Sequence, residues 1–442
     1  MQGSKPMIPA RMIGTRSDMV RAEHAEGLGE GGRQRRAFLA GTALAGLSLA
    51  VPAVARAQGA QTVKIGMIQP MSGNLAAYAT EGQPVFDYMI RKINAEGGIK
   101  SLGGAKIEVI LADDASQPAR TAAEARRLVT ERQVSMLVGS ILSAQMLALT
   151  PVVDELQMPT LSIWAGAARS EQMFSLGFPY DKGYAETLAA FIRELAKTPA
   201  FRVKTAVMAY SNYEAGQQVN HFLKAKLQAA GIQVIGDVPL DTKAQDQTAA
   251  MVRMRSFKPD VVTGLVTPRD GILLHQARFN LNYHDSLFVG GTGGYSDFSL
   301  WKELGQNIGA SVLTRNTFGM TGFSPGAKLE SMQAIVRELR AADLKVEIGQ
   351  AAVQAAQAAR VLQHALEAAG GLDRAALMKG LRAVDIPFGH EHLYLARPQG
   401  LKFGADRMPA DSTALMIQWL ADQQQQVVFP SQFGDVAPRP RA

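Results

Sequence analysis

Residues 134–147 read VSMLVGSILSAQML. An apolar run, Val134-Ser135-Met136-Leu137-Val138, stops at Gly139; small and hydroxylated residues follow, and a helical pattern begins at 144. A short apolar run that ends in Gly and Ser and passes into a helix is the strand-to-helix joint of a parallel α/β unit. Ser143 stands just before the helix, where its hydroxyl suits an N-cap and equally a ligand.

The same unit repeats on both sides of this joint. Residues 62–69 (TVKIGMIQ) alternate as a strand, 70–74 (PMSGN) form a turn, and a helix starts near Tyr78. That helix carries Val85, Met89, Ile90 and Ile93 on one face and is stopped by Gly97-Gly98. Strand 106–111, helix 118–132, strand 134–138, helix 144–156 and strand 160–163 complete a βαβαβα pattern. The pattern then restarts with helix 182–197 and strand 205–209, and runs through helix 214–230, strand 233–235, helix 246–257, strand 260–265, helix 271–281 and strand 287–289. Two successive sets predict two α/β lobes, each a parallel sheet flanked by helices. The last third is helical at 327–341, 349–369 and 373–384, and ends in strand-like pieces at 414–420 and 426–429. A tail belonging to both lobes requires the chain to cross between them more than once. The expected division is 62–181 plus 316–400 for lobe 1, 182–315 plus 401–430 for lobe 2, and a disordered tail at 431–442.

The first 57 residues differ in kind. Positions 31–57 read GGRQRRAFLAGTALAGLSLAVPAVARA: basic residues, then small apolar ones, then Ala55-Arg56-Ala57. This is the layout of a secretory signal cleaved before Gln58, and Arg35-Arg36-Ala37-Phe38-Leu39 is twin-arginine-like. Of 46 basic and 39 acidic residues in the chain, the segment 1–57 holds 8 and 4, so the remainder carries a net charge of only +3. With no clustered basic run in that remainder, nucleic acid is not an expected partner. The chain has no cysteine, which excludes thiol catalysis, disulfides, cysteine–metal sites and a lipid-anchored N-terminal cysteine. The expectation is a protein free in the periplasm.

Ligands of open parallel sheets sit beyond the carboxyl ends of the strands. The loops there offer Ser140 and Ser143, Trp164-Ala165-Gly166-Ala167, Ser211-Asn212-Tyr213, Val266-Thr267-Pro268-Arg269 and Gly291-Thr292-Gly293-Gly294-Tyr295. Hydroxyls, aromatics and helix-start N–H groups suit a carboxylate, because fixed donors and the helix dipole favour an anion. Acid–base machinery is sparse. No G-x-S-x-G elbow or Walker motif is present, so no enzyme and no cofactor is expected. His390-Glu391-His392 supplies two imidazoles with no third ligand in view and reads as a surface turn rather than a metal site.

Taken in order, IGMIQPMSGNLAAYATEG (65–82), INAEGGI (93–99), LADDASQP (111–118), VGSILSAQ (138–145), YSNYEAG (210–216) and VGGTGGYS (289–296) resemble the periplasmic substrate-binding proteins of branched-chain amino acid ABC transporters, the leucine/isoleucine/valine-binding family. The resemblance implies a periplasmic-binding-protein type I fold: two α/β lobes joined by three hinge crossovers, with ligand in the cleft. It implies that Ser143, with Ala144, binds the ligand carboxylate. Trp164, Ala165 and Gly166 match the segment touching carboxylate and ammonium. Tyr78 faces the ligand side chain, Tyr213 closes from the second lobe, and Thr267 lies about where a further second-lobe aromatic stands. Thr292, beside Gly293, occupies the position of the glutamate that pairs the ligand ammonium in this family. Gly166 stands where the family has a threonine, and Trp164 where a small residue is usual. Asp270 and Asp297 are the acids that could replace the missing glutamate. The resemblance further implies capture of a small carboxylate-type ligand (amino acid, aromatic or aliphatic acid, or amide) by cleft closure, a monomer, and delivery to ABC permease membrane subunits. The alternative is a periplasmic ligand sensor of the same fold feeding a signalling receptor.

Overall fold

The computed structural model of the chain describes residues 62–139, 142–291 and 293–440. The expected export signal and Thr292 lie outside these.

The first sheet is built as anticipated, by units that each run strand, loop, helix. In chain order they are β1 (Thr62–Gln69), α1 (Ala77–Thr80), α2 (Gly82–Ala95), β2 (Lys106–Asp113), α3 (Pro118–Thr130), β3 (Met136–Gly139), α4 (Ser143–Leu156), β4 (Thr160–Ser162) and β5 (Met173–Ser175). The strand order is β2-β1-β3-β4-β5, all parallel. Apolar side chains fill both faces. Val63, Ile65 and Met67 of β1 pack with α2 on one side, while Ile68 and Leu137 pack with α3 and α4 on the other. Gly139, which ends β3, lies against β1 so closely that an added Cβ would stand 1.9 Å from the Ile68 carbonyl oxygen. Only glycine lets the β3 backbone make that approach.

The second set comprises α5 (Glu186–Lys197), β6 (Thr205–Ser211), α6 (Glu214–Ala229), β7 (Gln233–Leu240), α7 (Thr248–Ser256), β8 (Val261–Leu265), α8 (Pro268–Asn280), β9 (Leu287–Gly291), α9 (Gly293–Ser296), α10 (Phe298–Val312) and β10 (Thr317–Thr321). The return segment adds α11 (Glu330–Ala341), α12 (Gln350–Ala369), α13 (Arg374–Arg382), β11 (Asp385–Ile386), β12 (Leu401–Lys402), β13 (Leu415–Trp419) and β14 (Gln425–Phe429). The second sheet has the order β14-β13-β10-β9-β8-β6-β7, parallel except for β13, which runs antiparallel to both its neighbours, β10 and β14. The chain therefore passes from the first sheet to the second after β5, back to helices of lobe 1 after β10, and again to the second sheet before β13. α12 is the core helix of this return, buried along most of its length and packed with α2 and α13. Its alanines let neighbouring helices approach closely.

Two expectations need correction. The strand β10 falls in the stretch assigned to lobe 1 from 316 onward, yet it pairs with β9 and β13 inside the second sheet. Its sequence, TFGMT, is too short and too broken by glycine to announce a strand. The tail expected to be disordered from 431 is docked through residue 440. Phe433 is buried, the Phe433 carbonyl accepts the Lys328 N–H at 2.8 Å, and the Gln418 side chain bonds both the carbonyl (2.6 Å) and the N–H (3.2 Å) of Arg439.

Buried polar groups hold the crossovers. The Gln354 amide of α12 donates to the carbonyls of Ile163 (3.0 Å) and Leu176 (3.2 Å). Arg397 is fully buried; it donates to the Asp411 carbonyl and, at 3.2 Å, to that of Leu176, with its guanidinium over the Phe178 ring. Leu176 lies in the first crossover and Asp411 in the third.

Candidate functional site

Ser143 is the first residue of α4, and the capping position belongs to Leu142, which makes no side-chain cap bond. The cap reading of Ser143 is thereby overturned. Its hydroxyl instead meets the hydroxyl of Tyr180, which in turn donates to Glu214 at 2.9 Å. Arg169 completes the chain by pairing with Glu214. This relay runs from lobe 1 (Ser143), through the crossover after β5 (Tyr180), to the start of α6 in lobe 2 (Glu214), and returns to lobe 1 (Arg169). Ser143 opens α4 in lobe 1 and Glu214 opens α6 in lobe 2, so the relay ties the first turns of two helices on opposite lobes.

Around it the aromatics gather. Tyr78 and Trp164 meet edge to face with centroids 5.3 Å apart, and Phe178 and Tyr184 at 5.6 Å. Tyr78, Ser143, Trp164, Gly166, Tyr180, Tyr184 and Tyr213 enclose a small cavity of about 20 Å³ whose remaining walls are Leu142, Ala215 and Leu265. None of these lining residues carries a formal charge at neutral pH. Burial pushes the Tyr180 phenol up, with the Ser143 hydroxyl pulling it back, and pushes that of Tyr184 up further. Both therefore remain neutral hydrogen-bond donors through the physiological range.

Gly166 is explained by its neighbour. A Cβ there would lie 2.0 Å from the Tyr180 ring. The tyrosine ring fills the space that a threonine side chain would need. Ala165 faces inward, its N–H on Ser162 Oγ (2.9 Å) and its carbonyl on Ser175 Oγ (2.6 Å), and the Trp164 N–H also reaches Ser162 Oγ at 3.2 Å. These bonds fix the loop after β4 against the sheet.

A larger cavity of about 670 Å³ adjoins the cage, sharing Tyr78 and Tyr213 and reaching Ala144, Gln145, Thr267 and Asp270. Thr267 is the N-cap of α8, and its hydroxyl is engaged with Asp270 and Ser211. Asp270 is almost wholly buried; Oδ2 takes the Ser211 and Thr267 hydroxyls, while Oδ1 has no hydrogen-bond partner among the described residues. Burial raises its pKa against the pull of those hydroxyls. Gln145, equally buried at the start of α4, has neither its Nε2 nor its Oε1 hydrogen-bonded among the described residues. A buried amide left so costs about 1–3 kcal/mol. It is a cost that a ligand with a donor and an acceptor would remove.

A third, small cavity places Gly293 and Asp297 beside Tyr78 and Trp164. Asp297 caps α10 through the Ser299 N–H at 3.0 Å, and burial raises its pKa. Glu81, the N-cap of α2, is pushed up to about 8 by burial, then by the charges of Asp297 and Glu347, with Lys302 opposing. The folded state thus holds a proton on Glu81 that the unfolded chain, at its ordinary value of 4.5, releases. Stability from this group is fully present below about pH 4.5 and is lost as pH rises to about 8. Glu81→Gln is expected to match the unaltered chain in urea unfolding at pH 4.5 and to exceed it by on the order of 2 kcal/mol at pH 8.5. A constant difference across that window would refute the assignment.

Of the residues expected from sequence, Tyr78, Ser143, Trp164, Gly166 and Tyr213 converge on the cage; Ala144 and Thr267 line the larger cavity, and Gly293 the third. Tyr180, Tyr184, Glu214 and Gln145 were missed. Tyr180 and Tyr184 sit in a π-helical crossover, Tyr180–Ala185, whose spacing follows neither strand nor α-helix; the signal available was two tyrosines four apart just after a strand.

Comparison with known proteins bears on the whole of this architecture. The family model described as "Periplasmic binding protein" matches residues 62–422. The chain is 25% identical over 392 residues to the Leu/Ile/Val-binding protein homolog 7 of Brucella melitensis, covering 85% of this chain and 94% of that one. It is similar in structure to the branched-chain amino acid transporter substrate binding protein LivJ of Streptococcus pneumoniae in complex with isoleucine, with TM-score 0.69, 21% identity and coverage of 84% and 100% of the two chains. It is likewise similar to a solute binding protein of an ABC transporter from Rhodopseudomonas palustris BisB5 in complex with 3,4-dihydroxy benzoic acid, with TM-score 0.68, 20% identity and coverage of 82% and 95%.

Proposed function

The chain belongs to the periplasmic binding protein family, and from that premise we propose that it is the solute-binding component of an ABC importer, taking an aromatic or aliphatic carboxylate. The observation that carries this reading is the uncharged cage around Ser143. A hydroxyl at the start of α4 stands among neutral tyrosine O–H groups and the Trp164 ring, with no formal charge in the lining. Such a wall suits an anion whose body is apolar, because donors converge on the carboxylate while the rings cover the rest. It does not suit a buried ammonium, whose desolvation costs several kcal/mol without a paired acid. The far end of the ligand extends toward Gln145 and Asp270, so that a hydroxyl or amide there satisfies their unpaired atoms. One of the structurally similar proteins is in complex with a dihydroxylated benzoic acid, which has this chemistry.

In this reading ligand docks on the Ser143 side, and hinge motion brings Tyr213 of lobe 2 over it. The lobes divide at the crossovers, with 62–175 and 322–403 in lobe 1, and the segment between them together with the one after 403 in lobe 2. The protein acts in the periplasm after cleavage of its export signal, as a monomer, and its closed form docks on the membrane permease.

A second reading has an observation of its own. Asp297 lies beside Trp164 and Tyr78, close enough to the cage to stand in for the acid absent at position 292 and so to admit an amino acid. Thermal-shift and calorimetric titration with hydroxylated benzoates, leucine and phenylalanine separates the two. The carboxylate reading expects a benzoate to bind best. Ser143→Ala should then weaken it roughly tenfold or more, and Asp297→Asn should leave it within about threefold. Preferential binding of leucine or phenylalanine, abolished by Asp297→Asn, would establish the second reading instead.

A further inference from the structure

Away from the interlobe cavities, three imidazoles meet on lobe 1. His364 projects from α12, and His390 and His392 come from the loop after β11. His364 Nε2 and His392 Nδ1 are 3.0 Å apart, and one nitrogen from each of the three rings lies within 4.8 Å of the other two. The ring centroids are separated by 5.0–5.5 Å. The sequence offered only the pair at 390 and 392; the fold supplies the third nitrogen from a helix in the core.

We propose that His364, His390 and His392 form a binding site for a divalent transition metal, zinc foremost, which ties the 390–392 loop to α12. Two nitrogens bound at about 2.0–2.1 Å to one tetrahedral ion stand roughly 3.3 Å apart, so the His364–His392 pair needs to open by only a few tenths of an ångström. Three imidazole nitrogens with no thiolate select zinc, copper or nickel over magnesium or calcium, which take oxygen ligands. The other nitrogen of His392, Nε2, lies 4.0 Å from a Glu391 carboxylate oxygen, on the side from which acidic groups orient metal-bearing imidazoles. His392 also lines a surface groove of about 470 Å³, which gives the ion a path from solvent and a fourth position for water. Arg360, buried on α12, is turned to Glu96 (3.4 Å), Gln363 (2.8 Å) and the Tyr394 hydroxyl (3.2 Å). His390 is the costliest ligand of the three. Its Nδ1 accepts the His392 backbone N–H at 3.0 Å, and the ring must give up that bond to reach the ion.

The test uses the full chain purified without an affinity tag, stripped with chelator and titrated with zinc chloride by calorimetry. The expected result is one ion per chain with a Kd of about 10 μM or below, a rise in Tm with zinc, and visible d–d absorption of a four-coordinate site with cobalt(II). His364→Gln and His392→Gln should each raise Kd about 100-fold, and His390→Gln about tenfold. His221→Gln, on the exposed face of α6, should change nothing. Absence of saturable 1:1 binding below about 100 μM overturns the proposal. So does a His364→Gln chain that binds within threefold of the unaltered one, since the loop pair alone would then be the chelator. If His364→Gln does not fold, the cobalt spectrum of the unaltered chain decides: four-coordinate absorption supports the site, and its absence overturns it. The readouts involve no organic ligand, so their outcome is separate from that of the carboxylate reading.

Discussion

Gly166→Thr is expected to destabilise the protein by about 3 kcal/mol and to lower affinity for the proposed carboxylate ligand roughly 100-fold. The reason is local. Any Cβ at 166 would enter the Tyr180 ring at 2.0 Å, and neither partner is free to yield. The loop carrying Gly166 is held by the Ser162 and Ser175 hydroxyls, and Tyr180 is held by Ser143 and Glu214. Forcing the ring aside breaks the relay that joins the lobes and deforms the cage wall opposite Trp164. The size of the loss alone would not identify its cause, but its reversal does. Tyr180→Ala introduced together with Gly166→Thr empties the contested space, and urea unfolding of the double variant should show at least half of the lost stability returned. Two losses that simply add would mean that ring and side chain do not compete. A tyrosine hydroxyl thus reaches Ser143 from the crossover, its ring lying in the space that a side chain at 166 would occupy.

Arg278→Leu should cost about 3–5 kcal/mol, measured by urea unfolding. The guanidinium is fully buried on α8 without a carboxylate, and four acceptors surround it: the carbonyls of Tyr283 (2.9 Å), Val312 (3.0 Å) and Arg315 (2.8 Å), and the Thr317 hydroxyl oxygen (2.6 Å). Its flat face lies over Phe288 of β9 at 4.1 Å. Burial lowers its pKa to about 9, which leaves it charged at neutral pH. One side chain thus closes the ends of α8 and α10 onto the start of β10, sharing the Val312 and Arg315 carbonyls with the Thr317 hydroxyl. Leucine keeps the contact with Phe288 and strands the acceptors. Arg278→Lys should cost less, since an ammonium retains the charge and reaches some of them but cannot fork among all. Equal stability of Arg278→Leu and the unaltered chain would show that water reaches these carbonyls.

Much of the scaffold was legible because its signals are local. β1, α3, β3 and α6 follow from alternation or helical spacing bounded by glycine, proline or polar residues. Gly139 marked the end of β3 correctly, and the reason proved to be its approach to Ile68. β10 was illegible because its place is set by its neighbours β9 and β13, not by its own five residues. α10 is interrupted at Gly305, where φ is +72°, so its periodicity breaks mid-helix. At the site, the loop residues were visible as hydroxyls and aromatics at the ends of strands. Gln145 was not: on a helix start it resembles any solvated amide, and only its burial in the folded chain makes its unpaired atoms conspicuous. His364 was hidden in the same way, by a separation of 26 residues from His390 that only the α12–loop packing closes.

Arg397 bonds the carbonyl of Leu176 in the first crossover and that of Asp411 in the third. Two of the three connecting strings are in effect knotted to one peg. Mechanically, the linkage then has fewer independent joints than its connectivity suggests. In the proposed clamp the lobes swing on two supports, one of them double, and a swing so mounted resists twist and shear while leaving a single arc of travel. Every ligand the cleft accepts must be met along that one arc.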